Sequence, residues 1–183
     1  MYIKNIKKKD LAIKSYNKAI KINPNNPETY NNLGNLYRSG NSFTSESSLK
    51  KAIKIYKKAV KIKDNPEKHL VYVNLGTAYK SLGKNEVAES YFKKSIKVKP
   101  NFFFAHRYLG LVKKWKKEDE NLLKLKQIFL NFKDNNEIKR ELAFTIGKAY
   151  DDIKNFDEAI KFFKEGNRIA RSSYKYSIND DYI

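Results

Sequence analysis

Residues 69–102 read HLVYVNLGTAYKSLGKNEVAESYFKKSIKVKPNF. Two phrases are nested in this stretch. The first is Tyr72-x-x-Leu75-Gly76-x-x-Tyr79; the second is Ala88-x-x-x-Phe92-x-x-Ser95, closed by Pro100. The first recurs as Tyr30-x-x-Leu33-Gly34-x-x-Tyr37, and more loosely as Leu109-Gly110 and Ile146-Gly147-x-x-Tyr150. The second recurs as Ala12, Tyr16 and Ala19 before Pro24, as Ala52, Tyr56 and Ala59, and as Ala159, Phe163 and Gly166. Positions i, i+4 and i+7 share one face of a helix. Small residues at the first and third places let neighbouring helices approach closely, and the ring between them fills the gap. Gly76 and Gly110 are 34 positions apart. A period of this size signals a stack of helix pairs rather than one globular core.

Taken in order, these phrases resemble the tetratricopeptide repeat (TPR) family over nearly all of residues 10–171. Residues 69–102 match without a gap, through Tyr72, Leu75, Gly76, Tyr79, Gly83, Ala88, Phe92 and Pro100. The resemblance implies an all-α, right-handed superhelical solenoid of antiparallel helix pairs, with about four full repeats after an N-terminal half repeat. The expected array covers 1–171, as a half repeat 1–24 and repeats 27–66, 69–102, 103–136 and 137–171. Residues 172–183 follow no period and read as a tail. First helices of each pair are expected near 27–39, 69–82, 103–117 and 137–153. Second helices are expected near 9–22, 47–63, 85–98, 119–132 and 156–171.

Three departures stand out. The first unit lacks its leading helix, so Ile3, Ile6 and Leu11 are expected to present an apolar face open to fraying or self-association. In the second unit, Gly34 and Ala52 are 18 positions apart, against 12 for the corresponding pairs Gly76–Ala88 and Gly147–Ala159. The Gly/Ser/Asn-rich stretch from Arg38 to Ser48 supplies the extra residues as a longer loop, with Thr44 or Ser45 available to cap the next helix. The fourth unit is degenerate: Lys113 replaces the second Tyr, and its second helix rests on Leu122, Leu125, Phe129 and Phe132.

A second, narrower resemblance concerns Leu142-Ala-Phe-Thr-Ile-Gly-Lys-Ala-Tyr-Asp-Asp152, Phe156-Asp-Glu-Ala and Glu165-Gly-Asn-Arg168 with Arg171. These residues are similar to the last repeat of TPR proteins that continue into a sulfotransferase domain. The sequence ends at Ile183, before such a domain could begin, so the enzyme is expected to be absent from it.

The chain has 183 residues, 34 Lys against 5 Arg, and a formal charge of +19. It also has 20 Asn and 24 Phe and Tyr. These residue types share A/T-rich codons, so a biased genome produces the same tilt. Lys50, Lys51, Lys54, Lys57, Lys58 and Lys61 fall on an outer helix face and read first as a solvated surface, second as a salt-sensitive attraction for polyanions. Nucleic-acid readers usually cluster Arg or expose stacking rings, so nucleic acid is not the expected partner. The absence of cysteine removes disulfides and thiolate chemistry. No run reaches the roughly 18 apolar residues of a membrane helix, so no membrane partner is expected. The basic start has no apolar stretch after it, and the chain reads as soluble and cytoplasmic.

Catalytic chemistry finds no support. Arg38-Ser39-Gly40-Asn41-Ser42 superficially resembles a phosphosulfate loop, but a helix precedes it and no strand does. His69 and His106 lack further ligands at metal spacing, and His106 takes a packing place of its repeat. Asp151-Asp152 and Asp180-Asp181 are adjacent pairs that diverge on a helix. No cofactor or metal is expected, and no enzyme.

The resemblance implies a concave face lined by the first helices of each pair. It assigns Glu28, Asn31, Asn35, Arg38 and Ser39 to that face, then Leu70, Val73, Thr77, Lys80 and Ser81. It continues with Phe104, Arg107, Leu111, Lys114 and Trp115, and ends with Glu141, Phe144, Lys148, Asp151 and Asp152. Asn amides can pair with an extended backbone. Arg38, Lys80, Arg107 and Lys114 could hold a carboxylate. Phe104 and Trp115 offer an apolar anchor. The candidate peptide-binding residues are therefore Asn31, Asn35, Arg38, Thr77, Lys80, Phe104, Arg107, Lys114 and Trp115. Asn31, Asn35 and Asn74 echo part of the carboxylate clamp of chaperone-binding TPR proteins, but Phe104 and Tyr108 stand where that clamp is basic, so its specificity is not assigned. The expected function is a non-catalytic protein–protein interaction scaffold for a peptide or partner, acidic ones included; the alternative is the N-terminal TPR region of a sulfotransferase.

Overall fold

A computed structural model of the chain describes residues 2–39, 45–131 and 135–173. Its regular structure, among the described residues, is entirely helical. The helices are α1 (Tyr2–Ile22), α2 (Pro27–Arg38), α3 (Glu46–Lys61), α4 (Lys68–Ser81), α5 (Asn85–Val98), α6 (Phe103–Gly110), α7 (Glu120–Asn131), α8 (Asn136–Asp152) and α9 (Phe156–Ser173).

Local chemistry sets most of these boundaries. The Asn26 side chain accepts from Thr29 N at 3.1 Å, and Pro27 follows at the first helical position, where its missing N–H costs nothing. Ser45 caps α3 by accepting from Ser48 N at 3.2 Å. Asn135 caps α8 by accepting from Ile138 N at 3.0 Å. The turn between α4 and α5 closes through Gly83 at φ 71°, and Lys84 N donates to Tyr79 O at 3.0 Å. Between α8 and α9 the same turn recurs, with Asn155 N donating to Tyr150 O at 2.9 Å. There a non-glycine residue, Lys154, takes the positive φ of 64°. The extra loop of the second unit falls largely on residues 40–44 and, with Thr44, lies outside the described residues.

The helices divide into two compact units, Met1–Val112 and Lys113–Ile183. In the first, α2, α4 and α6 form one layer: α2 touches α4, and α4 touches α6. The second layer is α1, α3 and α5, each packed on members of the first layer. In the second unit α7 packs on α8, and α8 on α9. The division between units falls inside the expected repeat 103–136.

Three pairs, α2 with α3, α4 with α5 and α8 with α9, are each locked by a glycine against a ring. A methyl group built on Gly34 would lie 2.6 Å from Cδ1 of Tyr56. On Gly76 it would lie 2.7 Å from Cδ1 of Phe92, and on Gly147 2.7 Å from Cδ1 of Phe163. The three glycines are those of the first phrase and the three rings those of the second. Ala52 and Ala59 on either side of Tyr56 are fully buried, as are Ala88 and Ser95 around Phe92. Tyr56 and Phe92 are themselves 0% exposed.

The fourth unit departs from expectation. Helix α6 ends at Gly110 instead of continuing to 117. Lys113 supplies no ring where the phrase has a Tyr. The segment after Val112 instead buries Trp115 in irregular backbone, with the Lys113 ammonium 4.6 Å from its ring centroid and paired to Asp119. Asp119 also accepts from Asn121 N at 3.0 Å and so starts α7. In α7 the expected Leu122, Leu125 and Phe129 are buried; Phe132 lies outside the described residues, as do the side chains of Ile3 and Ile6. Leu11 is exposed. His106 is buried, its Nε2 2.6 Å from Pro100 O, in a packing role.

The glycine contacts predict that Gly76→Leu overpacks α4 against α5 and lowers stability by about 1–3 kcal/mol. Tyr56→Ala empties a fully enclosed site and is expected to cost about 3–5 kcal/mol. Urea unfolding followed by circular dichroism measures both, and an unchanged midpoint for either would contradict the nesting.

Candidate functional site

The candidate site lies on the α2/α4/α6 layer of the first unit. Its polar residues are partly used in holding that layer together. Asn74 Nδ2 of α4 donates to Asn31 Oδ1 of α2 at 2.8 Å, and Asn31 is 7% exposed. This amide is a strut between neighbouring helices. Asn35 accepts at Oδ1 from the Tyr56 hydroxyl at 2.7 Å. Burial pushes the Tyr56 pKa up, so the hydroxyl stays a donor, and the Arg38 guanidinium lies against it as well. Thr77 Oγ1 donates to Val73 O at 2.9 Å, one turn back in its own helix.

Asn35, Arg38, Thr77 and Lys80 are half-buried, so each still presents part of its side chain to solvent. On α6, Arg107 is half-buried with its guanidinium carbon 5.3 Å from the Tyr108 ring centroid. Phe104 is 42% exposed and packs at 5.0 Å, centroid to centroid, on the buried Phe103. The first unit therefore brings Asn35, Arg38, Thr77, Lys80, Phe104 and Arg107 onto three adjoining helices.

Lys114 and Trp115 are placed otherwise. Both follow the end of α6 and belong to the second unit. Lys114 is exposed, while Trp115 is 6% exposed and offers no open face. Counting positions along an assumed longer helix assigned them to the α6 face; α6 ends before either of them. On α8, Lys148 pairs with Asp152 at 2.8 Å.

Sequence reasoning passed over the Asn74–Asn31 strut as a structural element. The signal was present: two asparagines 43 positions apart, each one residue after the Tyr of its phrase or two, on helices expected to be neighbours. Tyr79, Tyr91 and Tyr72 form a second overlooked cluster. Tyr79 and Tyr91 stack at 5.4 Å, and the Lys57 ammonium lies 5.8 Å from the Tyr79 centroid. A hydrogen bond to Tyr79 raises the Lys57 pKa.

Three family models match, all of them tetratricopeptide repeats, over residues 8–38, 25–101 and 141–173. Together they span more than half the sequence. The chain is a tetratricopeptide repeat protein. Among solved structures, this TPR protein is similar to MamA at 25% identity and a TM-score of 0.69, covering 94% of this chain and 95% of that one. It is similar in fold to YrrB, described as a TPR protein with an unusual peptide-binding site, at 18% identity and a TM-score of 0.66, covering 92% of this chain and 81% of that one. It is also similar in fold to Pseudomonas aeruginosa pilF, at 19% identity and a TM-score of 0.59, covering 85% of this chain and 66% of that one. Among curated proteins none matches the sequence. Among the described residues, no helix of this TPR protein is long and apolar enough to cross a membrane.

If the Asn31–Asn74 bond is a strut, Asn74→Ala leaves the buried Asn31 carbonyl oxygen without its donor and costs about 1–3 kcal/mol. Adding Asn31→Ala should then cost little more. A double-mutant cycle in chemical denaturation reads the coupling, and additive losses would refute it.

Proposed function

We propose that this TPR protein is a protein-interaction scaffold whose α2/α4/α6 layer takes an extended peptide. The supporting observation is the set of half-buried polar side chains on three adjoining helices, with Asn35, Arg38 and Thr77 steadied by neighbours and Lys80 and Arg107 farther along. Side chains held in this way lose little freedom on binding. The three cations favour a partner carrying carboxylates, which guanidinium groups bind bidentately. Phe104, the exposed ring of the set, supplies the apolar anchor. YrrB, of the same fold, is a peptide binder by its description, which agrees with this reading. The sulfotransferase alternative rests on residues 142–171 alone, a stretch that the repeat models also match.

Selection of a displayed random-peptide library on the wild-type chain is expected to enrich acidic sequences. Lys80→Glu with Arg107→Glu should weaken the selected peptides by at least about tenfold through like-charge repulsion, at unchanged helicity. Peptides that bind both proteins equally would remove the layer from consideration.

A further inference from the structure

Positive charge is unevenly distributed over the helices. Helix α3 carries Lys50, Lys51, Lys54, Lys57, Lys58 and Lys61 against one carboxylate, Glu46, which pairs with Lys50 at 2.6 Å. All six lysines are exposed. At 3.6 residues per turn they occupy about 120° of the helix circumference, opposite the buried Leu49, Ala52, Tyr56 and Ala59. Helix α1 of the same layer adds the exposed Lys14, Lys18 and Lys21. The second unit is built differently. There Lys148 bonds Asp152, Lys161 bonds Glu158 and Arg168 bonds Glu165. A/T-rich codons would add lysine everywhere, but they would not withhold carboxylates from one helix face while supplying them to others. The composition of the chain therefore does not account for the placement of these charges.

Two features select among anionic partners. Among the described side chains of this layer no aromatic ring is exposed: Tyr56 and Phe92 are fully buried, and Tyr16 and Tyr91 are half-buried, Tyr91 stacked on Tyr79, which leaves nucleic-acid bases little stacking platform. The exposed apolar residues are aliphatic instead: Leu11 at 62% and Ile22 at 76% on α1, and Val98 at 48% on α5. Every cation named on α1 and α3 is Lys, a flexible stem with a mobile point charge, and not the Arg fork suited to bidentate recognition. Rows of lysine with scattered aliphatics match an anionic bilayer surface, where stems lie along the interface and ammonium groups meet headgroups.

We infer that the outer face of α1 and α3 docks peripherally on a bilayer surface rich in anionic lipid headgroups. The sequence excluded a membrane partner because no segment can span one; surface docking needs no spanning segment. The face is separate from the α2/α4/α6 layer, so a docked molecule keeps its peptide-binding side free.

Co-sedimentation of the full chain with phosphatidylcholine vesicles, with and without phosphatidylglycerol, tests the assignment. A first variant carries Lys51→Gln, Lys54→Gln, Lys58→Gln and Lys61→Gln. A second removes the same charge from the other unit, through Lys116→Gln, Lys117→Gln, Lys161→Gln and Lys164→Gln. Circular dichroism checks that both fold. The wild type and second variant are expected to bind phosphatidylglycerol vesicles and not neutral ones, with release by added salt. The first variant is expected to bind at least about 100-fold more weakly. Equal weakening by both variants would reduce the effect to net charge and overturn the assignment. Equal binding to neutral vesicles, or tighter retention on duplex DNA than on anionic vesicles at the same salt, would overturn it too.

Discussion

The approach of a glycine in one helix to a ring in the next organises this protein. Where Gly34, Gly76 and Gly147 stand, any side chain would enter the space of Tyr56, Phe92 and Phe163. The helix loses intrinsic propensity at each glycine, by about 1 kcal/mol relative to alanine. Full enclosure of Tyr56 and of Phe92 offsets this by a larger amount, since emptying such a site costs about 3–5 kcal/mol. The balance favours glycine in these helices despite its cost. Small residues flanking the ring, Ala52 and Ala59 or Ala88 and Ser95, let the next helix close over it. One contact thus fixes both the partner and the distance within a pair.

Once the pairs form, adjoining first-layer helices must face one another, and their polar residues must be satisfied. Asn31 and Asn74 meet this need by bonding each other, and Asn35 by accepting from Tyr56. Interior packing and surface chemistry are therefore continuous: the hydroxyl of the ring that fills the core reaches the polar rim of the candidate site. A partner bound there would meet side chains already oriented by the fold. On α3 the inner stripe is apolar apart from the Tyr56 hydroxyl, and the outer face carries exposed lysines. The two faces of the first unit thus differ in kind, one built of steadied polar groups and the other of mobile charge.

Much of the fold was legible in the sequence. Seven of the nine expected helices match their observed limits within a few residues because caps and turns are local: Asn26 with Pro27, Ser45, Gly83 and Asn135 act within their own turns; α1 begins at Tyr2 instead of near 9, and α6 stops at Gly110 instead of near 117. The candidate site was less legible. Asn31 read as an exposed amide, whereas its neighbour takes it into the layer. Trp115 read as an anchor because it was counted along a helix that stops at Gly110. Beyond that stop the chain holds the buried indole and the Lys113–Asp119 pair.

The sequence by itself determined that the chain forms helix pairs, which residues recur in each pair, and where most helices begin. Those features depend on spacing and on bonds within a turn, and both are written in residue order. Tertiary structure alone decided which asparagines become struts, where α6 gives way to a packed loop, and that α3 stands in a layer separate from the candidate site. These outcomes turn on what the neighbouring helix offers, a bond for an amide or a cover for an indole, and no short stretch of sequence contains its own neighbour.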